Sequence, residues 1–532
     1  MTQPVRGRRG MAVAPHALAS QSALAVLREG GNAVEAMVAA AATIAVAYPH
    51  MNGIGGDSFW LIGMPSGGST EVVGIDACGA SAAGVGIDQY AGLAIPFRGG
   101  SAAITVAGTL SGWDQALAIS RTRLAGRLPL ARLLADAIDG ARHGVPVTRS
   151  QHRNTQTRQQ ELAGVHGFAD AFLPGGAVPA VGALFTQPRL AATFEQLARA
   201  GLDDFYRGDL ARSLAHDLAW AGSPLTLDDL QRHQALLRTP LQLAHSAGTV
   251  YNMPPPTQGL VSLIILGLMD RLDVGRFDHL GADYVHAAAE CVKQAFAVRD
   301  RCITDPACMT VDPASFLAPQ ALDDMAARID MDQAAAWGQG KGPADTIWMG
   351  VIDSQGNAVS MIQSIYHEFG AGIVLAQSGV NWQNRGASFS LDPTHINALA
   401  PGKKPFHTLN PALALLKDGR TMVYGNMGGD GQPQTQSAVF TRTMVHGLDP
   451  QAAIEAPRWL LGRTWGQSSD TLKLEGRFPA QTVRALSARG HPVEVLADFD
   501  ETFGHAGCIV RETSGSLSGG FDPRSDGSVA AF

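Results

Sequence analysis

Residues 345–360 read DTIWMGVIDSQGNAVS, and the order of side chains in them decides the fold. In an extended chain Ile347, Met349 and Val351 fall on one face and Trp348, Gly350 and Ile352 on the other. Asp353-Ser-Gln-Gly-Asn357 is a turn cluster, and Ala358–Tyr366 returns as a second strand, so the stretch predicts a β-hairpin. Thr346 stands at its head, behind Asp345. A threonine there suits a strand for its β-branched side chain alone. The sharper alternative is that the chain is cut before Thr346, which then becomes a nucleophile.

The chain has 532 residues, of which 45% are hydrophobic and 16% charged. That is enough for a large core, and the length alone suggests more than one domain. A net charge of −7 carries no basic footprint for nucleic acid. The cluster RGRR at Arg6–Arg9 reads as a solvated tail. Five cysteines (Cys78, Cys291, Cys302, Cys308, Cys508) are scattered, and the Cys-x5-Cys of Cys302 and Cys308 is not a zinc spacing. The first residues lack the apolar core of a secretory signal. The longest apolar helical run, Val34–Tyr48, is too short to span a bilayer. A reduced, cytoplasmic protein with no membrane partner is expected.

Local signals divide the chain. His16–Glu29 is a helix stopped by Gly30-Gly31, and Asn32-Ala-Val-Glu35 is a capping-box variant that opens the next. That helix ends before Pro49 and runs into PHMNGIGGDSFWLI, a glycine-rich loop and a strand. From Gly112 to Arg301 the pattern is mainly helical, with helices over Leu128–Arg142, Leu190–Gly201 and Ala282–Arg301. YNMPPPTQG (Tyr251–Gly259) interrupts it as a stiff link from strand to helix. Residues 302–344 lose periodicity and read as a loose segment ending in AAAWGQGKGPAD. Beyond Thr346 hairpins dominate. Leu413–Leu416 and Thr421–Tyr424 are joined through KDGR, and Cys508–Glu512 and Leu517–Phe521 flank TSGS. Helices, a loose segment and then hairpins suggest an α+β arrangement rather than a doubly wound sheet.

Common catalytic motifs fail. Gly402-Lys403 lacks the Walker spacing, His367-Glu368 lacks the second histidine of a zinc helix, and there is no Gly-x-Ser-x-Gly elbow. The 16 histidines show no metal spacing and read as surface or capping residues. YGNMGGDGQPQTQ (Tyr424–Gln436) is more informative. Its Gly428-Gly429 lets backbone N–H groups approach a ligand closely, as an oxyanion hole requires, or simply ends a strand in a turn.

Three blocks in order carry a resemblance over nearly the whole chain: GGNAVEAMVAAAATIAVAYPHMNGIGGDSF, YNMPPPTQG, and DTIWMGVIDSQGNAVS through GFDPRSDG. With them the chain resembles the γ-glutamyltranspeptidase-like N-terminal nucleophile (Ntn) hydrolases. The resemblance implies a four-layer αββα sandwich and a precursor that cuts itself between Asp345 and Thr346. Residues 1–345 would form a large subunit and 346–532 a small one, intertwined in one structural domain, with further association left open. No cofactor or metal is implied. A free N-terminal amine gives the threonine hydroxyl a base on the same residue. By resemblance Ser364 supports the nucleophile, and Gly428 and Gly429 supply the oxyanion donors.

Departures from the family pattern bear on substrate. Relatives that bind γ-glutamyl groups hold the α-carboxylate with an arginine of the large subunit, and the matching stretch Gly74–Ala82 has none. Their Asn, Gln and Asp around the α-amino group correspond to Tyr366, Arg385 and Ser388, and their paired serines to His407 and Thr408. No carboxylate remains there to hold an ammonium, while a cation, Arg385, is added; that arginine could also serve a structural ion pair. A small anionic amide is therefore expected. The runs WQNRGASFSLDP, PGKKPFHTLNPA and GRTWGQ resemble the branch of the family that converts oxamate to oxalate and ammonia in purine-nitrogen salvage. The open alternatives are a γ-glutamyl hydrolase or transferase, an acylase of side-chain amides, and an uncleaved relative that only binds.

Overall fold

A computed structural model describes residues 3–90, 92, 94–338 and 345–532 apart from 463–468, with only the backbone of Asp345. Its centre is a pair of seven-stranded sheets. Their strands, in chain order, are β1 (Val5–Gly7), β2 (Gly10–Ala14), β3 (Asp57–Ser66), β4 (Ser69–Ala77), β5 (Leu236–Arg238), β6 (Leu241–His245), β7 (Gly248–Asn252), β8 (Asp345–Asp353), β9 (Ala358–Tyr366), β10 (Ala412–Leu416), β11 (Thr421–Asn426), β12 (Ala506–Arg511), β13 (Leu517–Phe521) and β14 (Ser528–Ala531). One sheet runs β1-β13-β12-β11-β10-β7-β6 and the other β14-β2-β8-β9-β3-β4-β5, all pairs antiparallel. Both sheets draw strands from before and after residue 345. The hairpin β8–β9 is laid between β2 and β3.

The alternation read from the first strand is the one the layers use. Trp348 and Ile352 join Met11, Phe59, Leu61 and Ile362 in the apolar layer between the sheets, facing Leu413, Val423 and Ile509. Ile347, Met349 and Val351 point outward, under the helices α1 (Ala17–Arg28), α2 (Ala33–Ala47) and α3 (Thr109–Arg123). The other sheet is covered on its outer face by α4 (Gly259–Arg271), α5 (Ala282–Cys302) and α6 (Gln432–Phe440), against Ala412, Met422, Tyr424 and Val510. A strand buried on both faces carries apolar residues on both, which is why β8 reads as a near-continuous hydrophobic run. The layering is the expected αββα.

Trp348 ties the two sheets together. A Cβ on Gly425 or Gly507 of the opposite sheet would come within 2.0 or 2.4 Å of the Trp348 ring, so both positions must lack a side chain. The indole N–H donates to Ser360 Oγ at 2.9 Å.

Helix starts match the sequence reading. The Asn32 side chain accepts from Val34 and Glu35 N–H while Glu35 accepts from Asn32 N–H, a complete capping box. Several expectations need correction. Arg6–Arg9 is no tail: Val5–Gly7 pairs with β13. The mainly helical span to Arg301 contains the strands β5 to β7, and Leu128–Arg142 is split into Leu130–Leu133 and Ala135–His143. In β6 only Leu241, Leu243 and His245 are buried, and so short a period-two signal is lost among helices. Within 302–338 a helix over Pro319–Ala326 buries Leu322 and Met325, so that part is not loose, and residues 339–344 lie outside the described residues. Nine of the 16 histidines are buried rather than on the surface. All five cysteines are free thiols. Among the described residues no helix is long and apolar enough to cross a membrane.

Candidate active site

The ladder between β8 and β9 slips at Thr346. Asp345 faces Tyr366 and Ile347 faces Gln363, so β9 holds one residue more than β8 across the break. In this bulge Thr346 is fully buried, and its hydroxyl donates to Ser364 Oγ at 3.2 Å. Ser364 Oγ in turn accepts the Tyr366 N–H at 2.8 Å. The same irregularity leaves Tyr366 at φ +81°, a left-handed conformation costly for an aromatic residue and a mark of functional sites.

Beyond Asn426, where β11 ends, Gly428 and Gly429 take φ +126° and +50° and open a short turn into α6. These angles need glycine. Among the described residues neither glycine N–H is donated to a carbonyl or side chain. Two free donors at the start of a helix suit a developing oxyanion. Their setting is fixed by Gln258, a residue that sequence reasoning did not single out. Its buried side-chain amide donates at 2.8 Å to the carbonyls of both Gly429 and Thr408. YNMPPPTQ gave the signal, since a glutamine ending a stiff loop at a helix start has a fixed direction.

Arg385 begins a 3₁₀ turn, Arg385–Ser388, and only 1% of it is exposed. Its guanidinium carbon lies 3.8 Å from the centre of the Tyr366 ring. Nη1 makes a long contact of 3.5 Å to Thr408 Oγ1, while Nε and Nη2 have no partner. Burial lowers its pKa, offset by the charges of Tyr366 and Asp57. A buried cation with two unmet donors is costly unless an anion completes it. In the arginine-free stretch Gly74–Ala82, Asp76 binds Lys404 at 2.7 Å.

His407 is fully buried and, like Arg385 itself, is not among the residues lining the neighbouring cavity. Its Nε2 is 3.0 Å from Asp57 Oδ2, and its ring packs edge-on to Phe59. Burial, with the charges of Arg385 and Lys404, holds its pKa well below the usual value, so the neutral ring donates to Asp57. Asp57, also missed, accepts further bonds of 3.1 Å at Oδ1 from Gly79 N, Gly108 N and Gln383 Nε2. Burial nevertheless raises it to about 7. Ser388 is placed by backbone: its hydroxyl reaches the carbonyls of Arg385 and Phe406 at 2.9 and 3.1 Å. Tyr366, Ser388 and Thr408 do line one cavity of about 430 Å³, together with Asp430 and Arg299, which pair at 3.1 Å.

Two groups among the described residues have donor types fit for a metal ion, Asp57–Cys78–His407 and His286–Glu290–His491. In the first, Asp57 is occupied by N–H donors. In the second, Glu290 binds Lys293 at 2.6 Å and the two imidazoles bind each other at 2.8 Å. The side chain of Asp345 and most of GRTWGQ lie outside the described residues.

The family model described as Gamma-glutamyltranspeptidase matches residues 19–532. The chain is 58% identical over 524 residues to the oxamate amidohydrolase proenzyme of Klebsiella pneumoniae subsp. pneumoniae, covering 98% of both. It is 40% identical to the glutathione hydrolase-like YwrD proenzyme of Bacillus subtilis over the full length of each. Among solved structures it is similar to a cephalosporin acylase from Bacillus halodurans, with a TM-score of 0.90 and 32% identity over 100% of this chain and 97% of that one.

Proposed function

Because the chain belongs to the gamma-glutamyltranspeptidase family, we propose that it is an autoprocessed threonine amidohydrolase whose substrate is oxamate, released as oxalate and ammonia. Its relatives act on amide bonds, and several of them are named as proenzymes, which fits one precursor giving two subunits. Cleavage before Thr346 would leave residues 1–345 and 346–532 as those subunits. The freed amine of Thr346, with an ordinary pKa of roughly 7.7–8.0, then serves as base for its own hydroxyl.

In this mechanism the Thr346 hydroxyl oxygen adds to the amide carbon while the amine takes the hydroxyl proton. The oxyanion is received by the N–H groups of Gly428 and Gly429. Collapse breaks the C–N bond, and the proton held by the amine leaves with ammonia. Water, activated by the same amine, hydrolyses the acyl ester and restores the threonine. Ser364 holds the nucleophile's oxygen in place throughout.

The observation that carries the substrate choice is Arg385, whose Nε and Nη2 have no partner. Oxamate brings a carboxylate directly beside its scissile carbonyl and no ammonium. A γ-glutamyl group brings an ammonium, which would meet Arg385, while the neighbouring carboxylates Asp57 and Asp430 are engaged by His407 and Arg299. The test is ammonia release from oxamate against anilide release from γ-glutamyl-p-nitroanilide. Higher kcat/KM for the anilide would replace this reading with a γ-glutamyl hydrolase or transferase.

A further inference from the structure

The cavity is far larger than oxamate requires. It measures about 430 Å³, within the range of pockets that enclose drug-sized ligands, whereas oxamate has only six non-hydrogen atoms. Thr346, Arg385, Gly428 and Gly429 are not among its lining residues, but immediate neighbours of Arg385 and Gly429 are. Tyr366, which stacks on Arg385, and Thr408, which contacts it, form one border, and Asp430, next to Gly429, forms another.

On the reading that oxamate is a substrate, its carboxylate is held by Arg385 and its carbonyl oxygen by Gly428 and Gly429. The only atom left to carry an additional group is the amide nitrogen. The rest of the cavity then selects that group. Phe97, Phe389, Leu391 and Phe406 supply its apolar wall. Its charged members neutralise one another: Arg299 binds Asp300 at 2.8 Å and Asp430 at 3.1 Å. We propose that the enzyme also hydrolyses N-substituted oxamates whose amine part is apolar or aromatic, the substituent lying against these side chains. The chemistry is unchanged and balanced. Thr346 forms the same oxalyl ester, the C–N bond breaks, the leaving nitrogen takes the proton from the Thr346 amine, and water releases oxalate and a primary amine.

The probe is N-phenyloxamate, incubated with the processed enzyme, with aniline and oxalate measured beside the ammonia from oxamate. A kcat/KM for N-phenyloxamate of at least one tenth that for oxamate is expected. A smaller ratio, with oxamate still turned over, overturns the proposal and leaves the oxamate reading standing; loss of both substrates in processed wild-type enzyme overturns that reading itself. Leu391→Trp and Ser390→Trp fill the cavity away from Arg385 and Thr346. Either, once seen to fold and process, should lower the N-phenyloxamate to oxamate ratio at least tenfold. An unchanged ratio in both would show that the substituent does not lie here.

Discussion

The guanidinium of Arg385 rests 3.8 Å from the centre of the Tyr366 ring, and the backbone of that tyrosine is turned to φ +81° by the same bulge that presents Thr346. On the proposed mechanism, one irregularity in one hairpin thus sets both the nucleophile and the residue that stacks on the selecting charge. Replacing Arg385 by Ala should lower kcat/KM for oxamate by ~30-fold or more, the loss expected when a buried charge pair worth about 2–5 kcal/mol loses a partner. Lysine should rescue little, because it has neither the flat face for Tyr366 nor the rigid two-pronged fork of donors that grips a carboxylate. Both variants should still process, which a gel will show.

Processing itself is read by mass. Purified protein should give two fragments, the smaller beginning Thr-Ile-Trp-Met. Thr346→Ala should remain one inactive chain, and Ser364→Ala should process slowly, having lost the partner 3.2 Å from the attacking oxygen. Active enzyme with the Asp345–Thr346 bond intact would refute the mechanism.

Gln258→Leu removes the donor shared by the Gly429 and Thr408 carbonyls, 2.8 Å from each. The glycine N–H groups would then be less well aimed. Since deleting a whole oxyanion donor costs roughly 10²–10³ in kcat, a fall of about tenfold or more is expected, with KM changed less. A rise in KM at constant kcat would assign Gln258 to substrate binding instead.

The buried histidines predict an acid-sensitive fold. Burial is the first cause that lowers His16 to about 4, His505 to about 4 and His233 to about 3. Each stays neutral in the folded chain while its unfolded counterpart takes a proton near 6.5. The stability they contribute is present above pH 6.5 and is lost as pH falls from there toward 4. Asp57 runs the other way: its carboxyl, raised to about 7, withdraws stability as pH climbs from about 4 to 7, so it offsets part of the histidine slope. Urea midpoints of the uncleaved Thr346→Ala chain, taken from pH 7 to 5, should fall. His16→Asn keeps a cap acceptor for the Leu18 N–H and should make that slope shallower by up to about 1.4 kcal/mol per pH unit. An unaltered slope would mean that His16 titrates normally in the fold.

The notch for Trp348 admits nothing larger than hydrogen. Gly425→Ala places a Cβ 2.0 Å from the indole and should cost about 1–3 kcal/mol or more by overpacking. A melting temperature within a degree of wild type would show that the ring has room to move.

Much of this was legible in the residues. The two-faced apolar run of β8, the capping box at Asn32 and the hairpin through KDGR each state their structure locally, within a few neighbours. Thr346 and the glycine pair were singled out through family resemblance; the structure adds that Thr346 is buried beside Ser364 and that both glycines take positive φ. What stayed hidden depends on distant contacts. The partner of His407 could not be read locally, since Asp57, which engages it, lies 350 positions away. Gln258 drew no notice because its two acceptors come from separate loops. The β6–β7 hairpin was passed over as helix, its few alternating residues too short to outweigh their surroundings.

The placing of β8–β9 between β2 and β3 also fixes a history for the molecule. If the backbone is severed before Thr346 as proposed, neither product contains a complete sheet, so each needs the other as its template. Folding must therefore precede the cut, and it is available only once. The uncleaved chain would keep every strand on one backbone, whereas a cleaved enzyme, once unfolded, would become two strangers that must find each other by diffusion. The working lifetime of such a cleaved enzyme would be set by how slowly it opens rather than by an equilibrium.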